Sequence, residues 1–151
     1  MRLNELEGKL KELMQNHKEF AENEAPEIVG RMAQEFYKES FENEGFTDNS
    51  LQKWPEVKRR INPARPDRAS AKRNILVNTG NLRRSVDYQT FKGRVIVSAE
   101  VFSKTGFNYA PVHNWGTNRI PQRQFLGDSH ILNQKILERL REKVNQINRK
   151  P

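Results

Sequence analysis

Three histidines, His17, His113 and His130, are the side chains best suited to chemistry, and none stands at a spacing that builds a catalytic or metal site. The sequence has no HxxxH or HExxH pair and no Asp/Glu cluster with metal-ligand spacing. Ser85 and Ser129 lack a local base, and there is no G-x-S-x-G turn, P-loop or GxGxxG. Without cysteine, thiolate sites and disulfides are excluded. We therefore expect no enzymatic activity, no metal and no cofactor, although a site assembled only in three dimensions stays open.

The composition fits one soluble domain. A length of 151 residues suits a single domain spanning 1–151. The hydrophobic fraction is 34% and there are 8 glycines, which is low for a globular domain. Either part of the chain is unburied, or a neighbouring subunit covers some of its apolar surface. No apolar run could span a membrane, and the N-terminus lacks a signal peptide's apolar segment, so we expect a cytoplasmic protein.

Charge is distributed unevenly along the chain. Residues 1–50 hold 12 acidic and 6 basic residues, a net charge of −6. Residues 51–151 hold 7 acidic and 21 basic residues, a net charge of +14. Such asymmetry suits contact between opposite ends of neighbouring copies, or a basic surface that faces nucleic acid. An ordinary solvated surface is an equally good interpretation.

Two helices are predicted at the N-terminus. Apolar residues recur at three- and four-residue steps, the pattern of an amphipathic helix. Asn23 is a candidate N-cap for the second helix, which would carry Pro26 in its first turn and end at Asn43 and Gly45. The first stripe comprises Leu3, Leu6, Leu10, Leu13, His17 and Phe20, and the second comprises Ala25, Val29, Met32 and Phe36 with Ile28, Ala33 and Tyr37 beside them.

A basic loop is predicted next, over about residues 47–75. Three prolines interrupt any helix, and Trp54 is the aromatic residue that would anchor a mobile segment. The candidate basic residues of this loop are Lys58, Arg59, Arg60, Arg65, Arg68, Lys72 and Arg73.

The second half of the chain predicts a β-hairpin followed by a helix. From Ser85 the apolar period becomes two, and Lys92-Gly93 is a two-residue turn between strands within residues 85–102. Asp128 or Ser129 would cap a C-terminal helix. The order of elements predicts an α+β fold: N-terminal helices, a small, mainly antiparallel sheet and a C-terminal helix. The stripe of that last helix comprises Leu132, Ile136, Leu140, Val144 and Ile147.

Nucleic-acid binding is the alternative that the basic loop leaves open. Its cations could neutralise phosphates without reading sequence, giving a salt-dependent affinity. However, no helix-turn-helix, zinc finger or RNP motif occurs, and residues 55–87 lack interleaved aromatic residues. Specific recognition of nucleic acid is therefore the less favoured interpretation.

Three blocks resemble a known family. Block 1 is ILVNTGNLRRSV at 75–86, block 2 is YAPVHNWGT at 109–117, and block 3 is IPQRQFLG at 120–127. In this order they are similar to the virion-morphogenesis (tail-completion) family of tailed bacteriophages and prophages, including Mu-like phages, over about residues 41–132. Two positions depart from the family pattern, because Asn114-Trp115-Gly116 replaces a common Phe-Gly ending and Gln124 replaces a common proline.

The resemblance implies a structural protein that completes or terminates the tail and supports head–tail joining. Implied partners are further copies of the chain in a ring, possibly a hexamer, tail-tube and head-connector proteins, and DNA through non-specific contacts. The implied location is the bacterial host cytoplasm during assembly, and then the virion. Candidate interface residues are Arg83, Arg84 and Arg123, whose guanidinium groups suit carboxylates on a neighbour. Signature or core positions are Trp54, Leu76, Thr79, Gly80, Leu82, Ser85, Tyr109, Trp115, Gly116, Pro121, Phe125 and Leu126, of which Tyr109, Trp115 and Phe125 are the strongest core candidates.

Overall fold

The computed structural model describes residues 3–61 and 72–149 and has mixed helix and sheet, as the predicted α+β class requires. Its elements are α1 (Leu3–Glu19), a π-helical turn (Phe20–Glu24), α2 (Ala25–Asn43), β1 (Gly45–Thr47), β2 (Leu51–Lys53), α3 (Lys58–Ile61), α4 (Asn81–Arg84), β3 (Val86–Phe91), β4 (Arg94–Ala99), α5 (Ala110–Trp115) and α6 (His130–Arg149). Within the described ranges, β1 pairs with β2 and β3 pairs with β4, both antiparallel.

The two N-terminal helices are joined without a break, which corrects the prediction that Asn23 caps a separate helix. Asn23 lies inside the π-helical turn, and the Ala25 N–H donates to the Phe20 carbonyl five residues back. Pro26 has no N–H to offer the carbonyl of Glu22. The hairpin's Gly93 N–H donates to that carbonyl instead, at 2.9 Å. The proline therefore leaves an acceptor that the tip of the hairpin uses.

The β3–β4 hairpin is confirmed, with Lys92 and Gly93 in its turn and Gly93 at φ +68°. Val86 pairs with Ala99 and Tyr88 pairs with Val97, so the more buried side chains of both strands share one face. Helix α2 packs on the hairpin, and at Gly30 an added Cβ would lie 2.3 Å from the Tyr88 ring. Glycine at this position permits the close approach.

The segment predicted as a loop over 47–75 holds regular structure in its first half. The β1–β2 hairpin pairs Gly45 with Lys53, and residues 58–61 form the short helix α3. Helix α2 ends at Asn43 as expected, but Glu44, at φ 50°, is the left-handed residue that turns the chain, and Gly45 begins β1. An added Cβ at Gly45 would lie 2.5 Å from the Gln52 carbonyl oxygen, so glycine lets the strands pair.

The C-terminal helix is anchored at its start by the β1–β2 loop. Ser129 is the predicted cap: its hydroxyl accepts from the Leu132 N–H at 3.2 Å and donates to the Thr47 carbonyl at 2.7 Å. The Asp48 carboxylate accepts from the His130 N–H at 2.9 Å. These contacts place Leu132 beside Ala33 and Phe36 of α2. A larger core lies alongside and comprises Phe41, Trp54, Ile75, Leu82, Val86, Val101, Ala110 and Phe125.

Candidate functional site

The three blocks of the family resemblance meet at one place in the core. Leu82 from block 1, Ala110 from block 2 and Phe125 from block 3 belong to the same buried cluster. Phe125 has no exposed surface, and its ring lies 5.1 Å from that of Phe41 at the end of α2. Segments far apart in the chain are thus brought together by burial of their apolar side chains.

Asn114 joins block 2 to block 3. Its side chain is 4% exposed, and its Oδ1 accepts from the N–H groups of Phe125 and Leu126, both at 2.8 Å. Its Nδ2 donates to the Leu126 carbonyl at 3.1 Å. Sequence reasoning treated this residue only as a departure from the family pattern. A polar residue at an apolar-flanked position was the available signal, but the sequence does not reveal its distant partners.

Two further contacts fix the path of block 3. The Trp54 indole N–H donates to the Gln124 carbonyl at 2.7 Å, and the Trp54 ring packs against Phe41. Gly116 has φ +73°, and an added Cβ would lie 2.7 Å from the Gln122 nitrogen. Both the backbone angle and the close approach require glycine here.

Arg123, one of the candidate interface residues, is largely buried and forms hydrogen bonds within the chain. It is 7% exposed, and its guanidinium donates from Nε and Nη2 to the Pro55 carbonyl and from Nη2 to the Glu56 carbonyl, at 3.0–3.3 Å. These bonds tie block 3 to the segment after Trp54. Of the five N–H donors of a guanidinium, the two on Nη1 have no hydrogen bond to a described residue.

A cavity of about 380 Å³ lies where the blocks meet. We call it the junction pocket. All three blocks contribute to its wall, together with the segment 57–59. Its lining residues are Val57, Arg59, Leu76, Asn78, Thr79, Leu82, Tyr109, His113 and Arg123. Leu76 is at φ 60°, a left-handed conformation that is uncommon for a residue other than glycine. Strained backbone of this kind often accompanies binding sites.

Positive charge in the junction pocket is poorly compensated. Burial and then repulsion from Arg59 lower the pKa of Arg123, while Glu56 acts in the opposite direction. Burial and then the charge of Arg123 lower the pKa of His113, so the imidazole is neutral at pH 7. Among the lining residues that the structure describes there is no carboxylate. An anion in this pocket would relieve the repulsion between the two guanidinium groups.

Two nitrogen atoms on the pocket's side chains also lack partners. Arg59 Nε and His113 Nδ1 are shielded from solvent and have no hydrogen bond within the described part of the chain. Toward the described residues Arg59 donates from Nη2, to the carbonyls of Arg73 and Asn74 at 3.2 and 2.8 Å. Because buried polar groups are nearly always paired, these atoms mark a place where a partner is missing.

The other two candidate interface arginines make contacts inside the chain. Arg83 forms an ion pair with Glu42 across an exposed surface, where such pairs contribute little. Arg84 donates from Nη2 to the Thr79 carbonyl at 3.0 Å and to Asn81 Oδ1 at 2.6 Å. Arg83 thus links α4 to α2 and Arg84 holds the turn at Gly80, while the exposed surface of both remains open to a neighbour.

Among the candidate basic residues, those that the structure describes differ in their surroundings. Glu44 receives two hydrogen bonds from Arg60, at 2.5 and 3.0 Å, and one from the Ile75 N–H at 2.9 Å. The bond from Arg60 is the main reason that the pKa of Glu44 is lowered. Arg73 donates to the Asn78 carbonyl and side chain, both at 2.9 Å. Lys58 and Lys72 are exposed. Arg65 and Arg68 lie outside the described residues.

Three of the signature or core positions are exposed, and one of them, Trp115, was wrongly expected in the core. Trp115 is 64% exposed at the end of α5, because Asn114 takes the inward position before the chain turns at Gly116. Thr79 and Pro121 are also exposed, in turns. The other signature positions are buried or half-buried: Trp54, Leu76, Gly80, Leu82, Ser85, Tyr109, Gly116, Phe125 and Leu126.

Comparison with models of known protein families, with curated proteins and with solved structures found no match. Within residues 3–61 and 72–149 no group of three or more histidine, cysteine or acidic side chains could hold a metal ion. Over the same ranges no helix is both long and apolar enough to cross a membrane.

Proposed function

We propose that this chain is a structural assembly protein of a tailed bacteriophage, which completes the tail and supports its joining to the head. It acts as a ring of identical subunits, in contact with tail-tube and head-connector proteins, and catalyses no reaction. The observation that carries the proposal is the interlocking of the three resembling blocks. Together they form one core and one pocket through Asn114, Arg123 and Phe125.

Exposed apolar side chains support a role that depends on subunit contacts. Phe102, Phe107 and Trp115 are 59, 56 and 64% exposed. Helix α1 adds Leu6 and Leu10, at 43 and 51%. Surface aromatic and aliphatic groups of this size are common at protein interfaces. The low hydrophobic fraction of the sequence fits a subunit whose apolar surface is completed by neighbours.

Sequence-independent binding to nucleic acid has less support as a primary function. Arg60 is paired with Glu44, while Arg59 and Arg73 donate to carbonyl groups of the chain itself. These bonds reduce the number of basic groups that are free to contact phosphates. A ring around the DNA path would still allow non-specific contact through Lys58 and Lys72, which are exposed.

Deletion of the gene from its phage tests the proposal. We expect the lysate to contain full heads and separate tails of abnormal length in electron micrographs, with infectious particles restored by the wild-type gene on a plasmid. Lysis and DNA packaging should proceed normally, because the defect lies in joining. Normal virions from the deletion strain would refute the proposal.

A further inference from the structure

We infer that the junction pocket is a carboxylate-binding site, and that its occupant is a glutamate side chain on α1 of a second copy of this chain. The inference rests on the proposed function in one respect, which is that the subunits associate with one another. It adds the site, the chemistry and the partner segment of that association.

The first step of the argument is the set of unused donors in the pocket. With respect to the described residues, Arg123 keeps the two N–H groups of Nη1, because its other three donors face the carbonyls of Pro55 and Glu56. On the same basis Arg59 keeps Nη1 and Nε, and Nε is buried without a partner. Two guanidinium groups on the wall of one cavity suit a single carboxylate, which accepts hydrogen bonds on both oxygens.

The second step concerns which anion suits the cavity. Its wall combines the guanidinium groups with apolar side chains, Val57, Leu76 and Leu82. A glutamate delivers a carboxylate on an apolar stem, and a cavity of about 380 Å³ accommodates that side chain. The phosphates of duplex DNA, by contrast, lie along a convex backbone and suit an open, charged surface rather than a recessed pocket with apolar walls.

The third step identifies the occupant from charge and exposure. Helix α1 carries Glu7 and Glu12, both exposed, beside Leu10 and Met14, which are 51 and 71% exposed. Among the described residues Glu7 forms an exposed i,i+4 pair with Lys11, which contributes little. The first 50 residues have a net charge of −6 and the remainder +14, which favours contact between opposite ends of two copies. Such a head-to-tail contact closes a ring or extends a filament.

The test uses two full-length variants that damage opposite sides of the contact. The helix variant, Glu7→Gln with Glu12→Gln, keeps the pocket intact, and the pocket variant, Arg59→Gln, keeps α1 intact. Arg119→Gln is the matched control, because Arg119 is exposed and away from the pocket lining. Association is measured by sedimentation velocity over a range of protein concentrations at low and high salt.

Each variant alone should self-associate at least roughly 30-fold more weakly than wild type, because one partner of a charged contact is lost. An equimolar mixture of the two variants should form dimers and no larger species, since each dimer has one intact pocket filled by one intact helix. Arg119→Gln should match wild type. A mixture that stays monomeric, or either variant assembling like wild type, would overturn the inference.

Two more measurements test whether the pocket itself, and not a change in the fold, controls association. Val57→Phe, which fills part of the cavity without changing charge, should weaken association as Arg59→Gln does, with an unchanged circular dichroism spectrum. In the helix variant, acetate at constant ionic strength should shift the ring signals of His113 saturably, and chloride should not.

If Arg59→Gln instead weakens binding to duplex DNA and leaves self-association unchanged, the pocket serves phosphate and the inference fails. A wild-type chain that remains monomeric would also overturn it, whereas the deletion phenotype in the phage tests the proposed function separately.

Discussion

Asn114→Ala should destabilise the fold much more than the same change at Asn118, which lies in the loop between blocks 2 and 3. The substitution removes the acceptor for the N–H groups of Phe125 and Leu126 and the donor to the Leu126 carbonyl. The N–H of Phe125 is fully enclosed, and an unsatisfied buried donor costs about 1–3 kcal/mol. The other two bonds add about 1 kcal/mol each, so we expect a loss of roughly 3–5 kcal/mol.

That loss corresponds to a fall in Tm of roughly 6–20 °C for a chain of this length. Urea unfolding followed by far-UV circular dichroism measures it, with Asn118→Ala as the control, because Asn118 lies exposed in the loop between blocks 2 and 3. The control should stay within about 0.5 kcal/mol of wild type. Hydrogen exchange should also show faster exchange of the Phe125 amide in Asn114→Ala. A variant within about 1 kcal/mol of wild type would refute the account of Asn114 as the link between the blocks.

Three further predictions follow from burial, charge and packing. Trp115→Ala should change the free energy of unfolding by less than about 1 kcal/mol, whereas Trp54→Ala should lower it by about 3–5 kcal/mol, since only Trp54 is buried. Equal losses of the two variants in urea unfolding would contradict this. Because Arg60 lowers the pKa of Glu44, this carboxylate stabilises the fold above the usual glutamate pKa of 4.5, and its contribution disappears as the pH falls through the lowered value. Glu44→Gln should therefore be less stable than wild type at pH 7 and converge with it in acid, and a constant difference across urea titrations from pH 7 to 3 would contradict that sign. Gly30→Ala should destabilise the fold by about 1–3 kcal/mol, because the added methyl group clashes with Tyr88. Gly8→Ala, whose added methyl group meets nothing within 4 Å on exposed α1, should stabilise the fold by up to about 1 kcal/mol. Thermal melts in which both changes act alike would contradict the packing account.

Elements with strong local signals were predictable from the sequence. The β3–β4 hairpin has alternating apolar residues and a Lys92-Gly93 turn, and both the pairing and the positive φ of Gly93 match the expectation. Helix α6 begins immediately after Ser129, one of the two caps considered. These features depend on neighbouring residues, so the chain's local order was sufficient to find them.

Elements that depend on distant contacts were not predictable in the same way. Pro26 suggested a new helix, yet the chain continues through a π-helical turn because the hairpin's Gly93 donates to Glu22. Strands β1 and β2 have three residues each, too few for a periodic signal. The structure alone reveals them, through the pairing of Gly45 with Lys53 and the close approach of Gly45 to the Gln52 carbonyl.

The candidate site was predicted in part. The sequence singled out the three blocks, and the structure packs them against one another around one pocket. The roles of single residues differed, because Trp115 and Asn114 are adjacent on α5 and the sequence does not show which one points inward. The junction pocket draws its polar side chains Arg59, His113 and Arg123 from positions that are 54 and 10 residues apart in the chain. No local sequence motif predicts that these three residues lie close together.

Locating the chain on tails gives the most direct test of its role in tail completion. Tails from a lysate blocked in head assembly would carry a functional, epitope-tagged copy of the chain, labelled with gold-conjugated antibody and viewed in the electron microscope. The proposal predicts label at one end of each tail, the end that joins the head. Label along the whole tube, or tails of normal length and joining activity that carry no label, would contradict it.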